Sequence, residues 1–257
     1  MAATEDVPEE IVDIEQRAWS DASSSRGRLA NATVGMLHTS LVFVTVEPIF
    51  KDLFGELLPE ARIVDFVDSD VLAAVQREGT ISASSVRRMC HLAQAAEDAG
   101  ADVVFSACSS LGPAMDVVRR LVRVPVVKVD DAMAREAVAR AERIGVLATF
   151  PTTLAPTAAL IRDHAAAVDR NVTITPRLCK GAFALLMGGD RARHDAMVIE
   201  GARTLVKEVD LIVLAQASMA RLAPRVAEET GLEVLASPRL GVQEVARLVA
   251  ERAATRE

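Results

Sequence analysis

The sequence predicts an α/β protein of two pseudo-symmetric lobes, each a four-stranded parallel sheet flanked by helices, with a cleft between the lobes. Three observations carry that prediction. From Thr33 onward, short Val/Ile-rich runs alternate with longer amphipathic stretches, the order expected of strand–helix units built on parallel sheets. The runs do not alternate strictly between apolar and polar, as befits strands buried on both faces. The chain also repeats itself: Ala101–Leu111 lies over Val209–Met219 without a gap, with Asp102 on Asp210, an offset of 108 residues. A repeat of this length points to a duplicated unit.

Taken in order, residues 1–30 read as a tail, with a short helix over Val7–Trp19 starting at Pro8 and a polar linker over Ser20–Arg28. The strand candidates are Thr33–Leu37, Arg62–Phe66, Asp102–Phe105 and Val124–Val127, then Arg143–Leu147, Val172–Thr175, Asp210–Leu214 and Glu233–Leu235. Between them, Ser82–Ala99 reads as a helix, with Val86, Met89, Cys90, Ala93 and Ala96 at helical spacing, Ser82 as N-cap and Gly100 as stop. The repeat extends this pattern. Ser82 lies over Asp190, a second N-cap candidate, and Met89 over Met197. Val34–Thr39 lies over Ile144–Thr149 at an offset of 110, so the two halves differ by a two-residue loop change. The first lobe is expected over residues 32–131 with 238–257 returned to it, and the second over 140–237.

Composition narrows the function classes. With 257 residues, 51% of them hydrophobic, the chain can bury a core without disulfide or metal staples. It carries 29 basic against 36 acidic residues, a net charge of −7, which disfavours phosphate-neutralising contact with nucleic acid. No apolar run approaches the ~20 residues of a spanning helix; the run at Leu41–Val46 is far too short. Glu5, Asp6, Glu9, Glu10, Asp13 and Glu15 make the first residues acidic, unlike a secretory leader. Three widely spaced cysteines, an odd number, fit a reduced compartment. A cytoplasmic location is therefore expected. The glycines form neither a dinucleotide fingerprint nor a P-loop, and there is no H-E-x-x-H or C-x-x-C. No cofactor and no metal are expected. The tail and the apolar helices permit a homodimer or a higher homo-oligomer.

Ligands bind outside the carboxyl ends of parallel strands, and two facing lobes place two such edges around one cleft. The residues after equivalent strands are His38-Thr39, Cys108-Ser109-Ser110, Ala148-Thr149 and Gln216-Ala217-Ser218. Cys108 is the sharpest candidate, since a thiol at a helix N-terminus feels the positive end of the dipole, which lowers its pKa. Its competing reading is a small core cysteine. Ser109 and Ser110 add hydroxyls where backbone N–H groups are free to hold an anion. His38 reads equally as a proton shuttle or substrate donor and as a local hydrogen-bonding residue. Thr149 with Thr152 suits a carboxylate and suits capping as well. Cys90 and Cys179 read as packing residues, and His91, His164 and His194 as surface residues. Asp130 and Asp131 read as caps, with a cleft role as the alternative.

The segment Gly100–Gly112, with its Cys-Ser-Ser turn, resembles the aspartate/glutamate/hydantoin racemase superfamily, together with Arg143–Thr149 and Val213–Ala220. The resemblance extends over roughly residues 32–250. It implies two α/β lobes and two cysteines, one from each lobe, on opposite faces of the substrate's α-carbon, without metal or pyridoxal phosphate. The superfamily includes amino-acid and hydantoin racemases, maleate isomerases and arylmalonate decarboxylases, the last with one cysteine. This chain departs from the racemase pattern. Cys108 matches the first-lobe cysteine, but the second-lobe position is Gln216, which does not titrate. His38 stands where glutamate racemases carry an aspartate, and Ser218 where they carry a histidine.

The expectation is a cofactor-independent racemase/isomerase-superfamily enzyme acting at the carbon next to a carboxylate of a small acid, with Cys108 as acid/base thiol. His38, Thr39, Ser40, Ser109, Ser110, Thr149, Thr152, Gln216, Ala217 and Ser218 are expected to bind the substrate. Two alternatives stand beside it: a one-cysteine lyase or decarboxylase protonating an enolate, and a non-catalytic carboxylate-binding protein.

Overall fold

A computed structural model describes residues 32–45 and 47–255. The helix and linker expected within residues 1–30 lie outside the described residues. The first lobe runs β1 (Thr33–His38), α1 (Val42–Thr45), α2 (Ile49–Leu57), β2 (Arg62–Val67), α3 (Val71–Glu78), α4 (Ala83–Asp98), β3 (Val103–Ser106), α5 (Gly112–Val118) and β4 (Val126–Lys128). Helix α6 (Asp131–Arg140) leads into the second lobe, which runs β5 (Arg143–Ala148), α7 (Pro151–Ala167), β6 (Thr173–Leu178), α8 (Ala182–Met187), α9 (Arg191–Arg203), β7 (Leu211–Leu214), α10 (Ala223–Thr230) and β8 (Glu233–Ala236). Helix α11 (Ser237–Thr255) closes the described chain.

The two four-stranded sheets have the orders β2-β1-β3-β4 and β6-β5-β7-β8, every pair parallel. The internal repeat is therefore structural. Val34 pairs with Val103, and its counterpart Ile144 pairs with Leu211, the counterpart of Val103. The inner strands β1, β3 and β7 are buried throughout, which is why their sequences read as apolar runs. The edge strands β2 and β6 mix exposed and half-buried residues.

Two strand boundaries differ from expectation by more than one residue, and proline explains both. β4 begins at Val126, two residues late, because Pro125 has no N–H to give; its carbonyl still accepts from the Val104 N–H at 2.9 Å. β6 continues through Pro176 to Leu178, which an edge strand tolerates because one side of it needs no ladder.

Period-two geometry splits each sheet's side chains between two layers. Val34, Met36, Val103 and Phe105 pack with Val242, Val245 and Val249 of α11, so the last helix covers the first lobe. Leu37 and Val104 face Met89, Ala93 and Ala96 of α4. The second lobe repeats this, with Ile144, Val146 and Val213 against α6 and α7, and Leu147, Ile212 and Leu214 against α9. Gly35 is required by the contact with α4, since a Cβ there would lie 2.6 Å from the Ala96 Cβ. The two N-caps of the repeat are both made. Ser82 accepts from the Ser85 N–H at 3.3 Å, and Asp190 from the Arg193 N–H at 3.1 Å.

Candidate active site

The carboxyl ends of β3 and β7 carry equivalent residues in equivalent backbone conformations. Cys108 has φ −126° and ψ 109°, Gln216 has φ −128° and ψ 134°, and each opens a 3-10 turn, Ser109–Leu111 or Ala217–Leu222. Proline then falls in the first turn of both α5 and α10, where its missing N–H costs nothing. The two turns face one cleft of about 520 Å³, part of it open to solvent.

The cleft brings together Ser40, Cys108, Ser109, Ser110, Gln216, Ala217 and Ser218. Thr39, Thr149 and Thr152 sit behind these residues and are spent on them. The Thr39 hydroxyl bonds the Cys108 sulfur. Thr152 and Thr153 meet the Ser110 hydroxyl at 3.3 and 3.1 Å, a link between the lobes. Thr149 donates to Gln216 Oε1 from its N–H at 2.6 Å and its hydroxyl at 3.0 Å, and the Phe150 N–H adds a third bond at 3.1 Å. Three donors on one oxygen fix the amide's orientation, because an NH₂ group could accept none of them. The Gln216 Nε2 is the polar group left over.

His38 lies elsewhere. It is buried, its Nε2 bonds Asp65 Oδ1 at 2.8 Å, and it lines a separate groove with Met36 and Asp65. The strand's period of two turns it to the Met36 face of the sheet, away from the cleft. His194, expected at the surface, is also corrected: it is fully buried, with Nδ1 2.8 Å from Asp195 Oδ1. Its charged neighbours suggested exposure, but it lies four residues before Val198 and eight before Ala202, on the inward face of α9.

The electrostatics reverse one expectation. Burial pushes the Cys108 thiol up from its ordinary value. The Thr39 hydroxyl and the Leu111 and Ser110 N–H groups only partly oppose this, and the nearby Asp130 carboxylate adds to it. The expected lowering by a helix dipole fails because the sulfur heads a three-residue 3-10 turn, too short for a large dipole, in a crowded setting. Burial also raises Cys90, and takes Cys179 to about 11.

Asp130 and Asp131 open α6, yet the Asp130 side chain makes no capping bond. Asp130 is buried behind Ser109, and its Oδ1 has no hydrogen-bond partner. Burial, then the charge of Asp131, push its carboxyl to about 6, against the pull of Lys128 and Ser109. Burial alone would raise Asp131 too, but His164, Arg119 and Lys128 bring it down to about 2. A carboxyl raised in the folded state favours folding below its unfolded pKa, and that contribution is lost as pH rises through about 6. Asp130→Asn should therefore gain on the native protein between pH 4 and pH 7, by roughly 3 kcal/mol for a two-unit rise. Urea unfolding at both pH values measures this, and a difference independent of pH would refute it.

The sequence reasoning missed the apolar wall of the cleft: Val42 and Phe43 of α1, Leu72 of α3, Phe150, and Phe183 of α8. Phe150 carried a signal, since the offset of 110 places it on Ser40, which was a candidate. Among the described residues no three His, Cys, Asp or Glu side chains group as metal ligands, and no helix is long and apolar enough to cross a membrane.

A family model described as Asp/Glu/hydantoin racemase matches residues 47–245. Glutamate racemase isoform RacE1 from Bacillus anthracis superposes with a TM-score of 0.69 at 16% identity, covering 86% of this chain and 82% of its own. Allantoin racemase from Klebsiella pneumoniae gives 0.63 at 21% identity, over 86% of this chain and 89% of its own. Unliganded arylmalonate decarboxylase gives 0.54 at 16%, over 85% and 93%. No curated protein sequence matches significantly.

Proposed function

The chain belongs to the Asp/Glu/hydantoin racemase family, and from that premise we propose that it is a cofactor-independent enzyme moving a proton at the carbon next to a carboxylate of a small acid, with Cys108 delivering that proton on one face. The observation that carries the reading is the pairing of Cys108 with Gln216 at equivalent strand ends. Two-sided proton transfer needs a titrating group on each face of the carbon, and an amide supplies none. A thiol held above its ordinary pKa keeps its proton at neutral pH and acts as a general acid.

The raised thiol favours the lyase form of the reaction. The bond between the α-carbon and a departing carboxylate breaks, CO₂ leaves, and the electron pair stays on carbon as an enolate. The Cys108 S–H bond then breaks as a C–H bond forms, and the thiolate regains a proton from water. Ser109, Ser110, Ser218 and the Gln216 Nε2 are suited to hold the carboxylate and enolate oxygens, since donors fixed before the reaction cost no reorganisation. Ser40 and the Ala217 N–H complete that set.

An NMR screen of α-substituted mono- and dicarboxylates in D₂O, without added metal or cofactor, tests the reading. Deuterium at one face and a single-handed product are expected. Rapid two-way racemisation would overturn it, and so would binding without exchange or CO₂ release, the behaviour of a carboxylate-binding protein.

A further inference from the structure

We infer that the acid taken by this cleft bears an uncharged aromatic or bulky apolar substituent, selected by Phe43, Phe150 and Phe183. The inference rests on the proton-transfer reading above and deepens it.

Among the described residues lining the cleft, none carries a charge. A substrate ammonium or second permanent carboxylate would be stripped of water with no ionic partner, an arrangement proteins avoid. One carboxylate can be held by hydroxyls, amide and backbone N–H groups; a further charge that the reaction does not remove finds no counterpart.

The aromatic supply is scarce and concentrated. The chain has seven Phe, one Trp and no Tyr. Phe50, Phe54 and Phe105 fill the first lobe's core, while three others, all half-buried, reach this one cleft from both lobes. They are braced. Phe43 sits edge-on to Phe50 at 4.9 Å and 78°, and Phe150 edge-on to Phe183 at 5.1 Å and 61°. An aromatic ring between such walls gains both buried area and ring-edge contacts. Phe43 also packs against the first lobe's core, while Phe150 and Phe183 brace each other; half-buried rings of fixed orientation are what a site for an apolar group requires.

Calorimetric titration of the full chain with acetate, phenylacetate and L-aspartate tests this, with each acid also scored for protection of Cys108 against iodoacetamide. Phenylacetate should bind at least ~10-fold more tightly than acetate, and aspartate no more tightly than acetate. Phe183→Ala should remove most of the phenylacetate advantage while leaving acetate unchanged, and Phe183→Leu should keep part of it. Equal affinity for acetate and phenylacetate, or tighter binding of aspartate, overturns the inference. If the favoured acid still protects Cys108, the proton-transfer reading survives that result. If no acid binds or protects, both fall together.

Discussion

Cys108→Ala should abolish turnover to within the reach of the best assay, a loss of at least ~10²–10⁴-fold, because it deletes the group assigned to carry the proton. Binding of the acid should persist, since the donors proposed for its oxygens lie on Ser109, Ser110, Ser218 and Gln216. The pH profile gives the stronger test. As a general acid the thiol works while protonated. Burial raises its folded pKa, so the active form should extend through neutral pH, with activity falling on the alkaline side, above the ordinary thiol range. A thiolate base would give the opposite limb, with activity rising as pH rises through that pKa. Iodoacetamide should follow the same titration, labelling Cys108 faster at alkaline pH and more slowly in the presence of substrate. Full turnover by Cys108→Ala would remove the assignment outright, and a neutral-pH thiolate would leave the cysteine but change its role.

Sequence periodicity was enough to reach the architecture because burial writes itself onto strands. β1, β3 and β7 lose water on both faces, so only apolar residues suit them, and the duplication doubled the signal. Cys108 and Gln216 were legible for a related reason: residues just past equivalent strand ends must meet in a two-lobed parallel fold. His38 was not, because its side depends on the parity of one residue at a strand end, which no local pattern fixes. The thiol's pKa was misread because a dipole is visible in sequence and burial is not. The aromatic wall escaped for a topological reason. Phe43 and Phe183 ride on the short helices α1 and α8, outside the repeated segments, and their approach to the cleft is set by tertiary packing alone. Asp130 was placed correctly at a helix start, but its carboxyl is spent on the buried layer behind Ser109 instead of the helix.

Gln216 offers a substitution that separates holding from proton transfer. Its Oε1 accepts from the Thr149 N–H and hydroxyl and from the Phe150 N–H, so alanine would orphan three donors and confound folding with function. Gln216→Glu keeps an acceptor for all three and loses only the Nε2 donor. That variant should stay folded and bind acids poorly, with turnover down by ~10²–10³-fold, the scale of one misplaced oxyanion donor. Carboxylate repulsion would deepen the loss. The pH dependence of Cys108 alkylation gives the control: it should shift upward at most, since an added negative charge disfavours thiolate. Gln216→Cys, which orphans the same three donors as alanine and so is first checked for native folding by urea unfolding, makes the complementary test. It places a second thiol at the position equivalent to Cys108, on the other half of the repeat, and so supplies the missing acid/base group for the opposite face. The expected gain is slow loss of handedness in the product and deuterium at both faces, against one-face labelling by the native protein. If native and Gln216→Cys proteins scramble handedness at the same rate, a second titrating group already serves that face, and one-sided chemistry at Cys108 is the wrong description of this cleft.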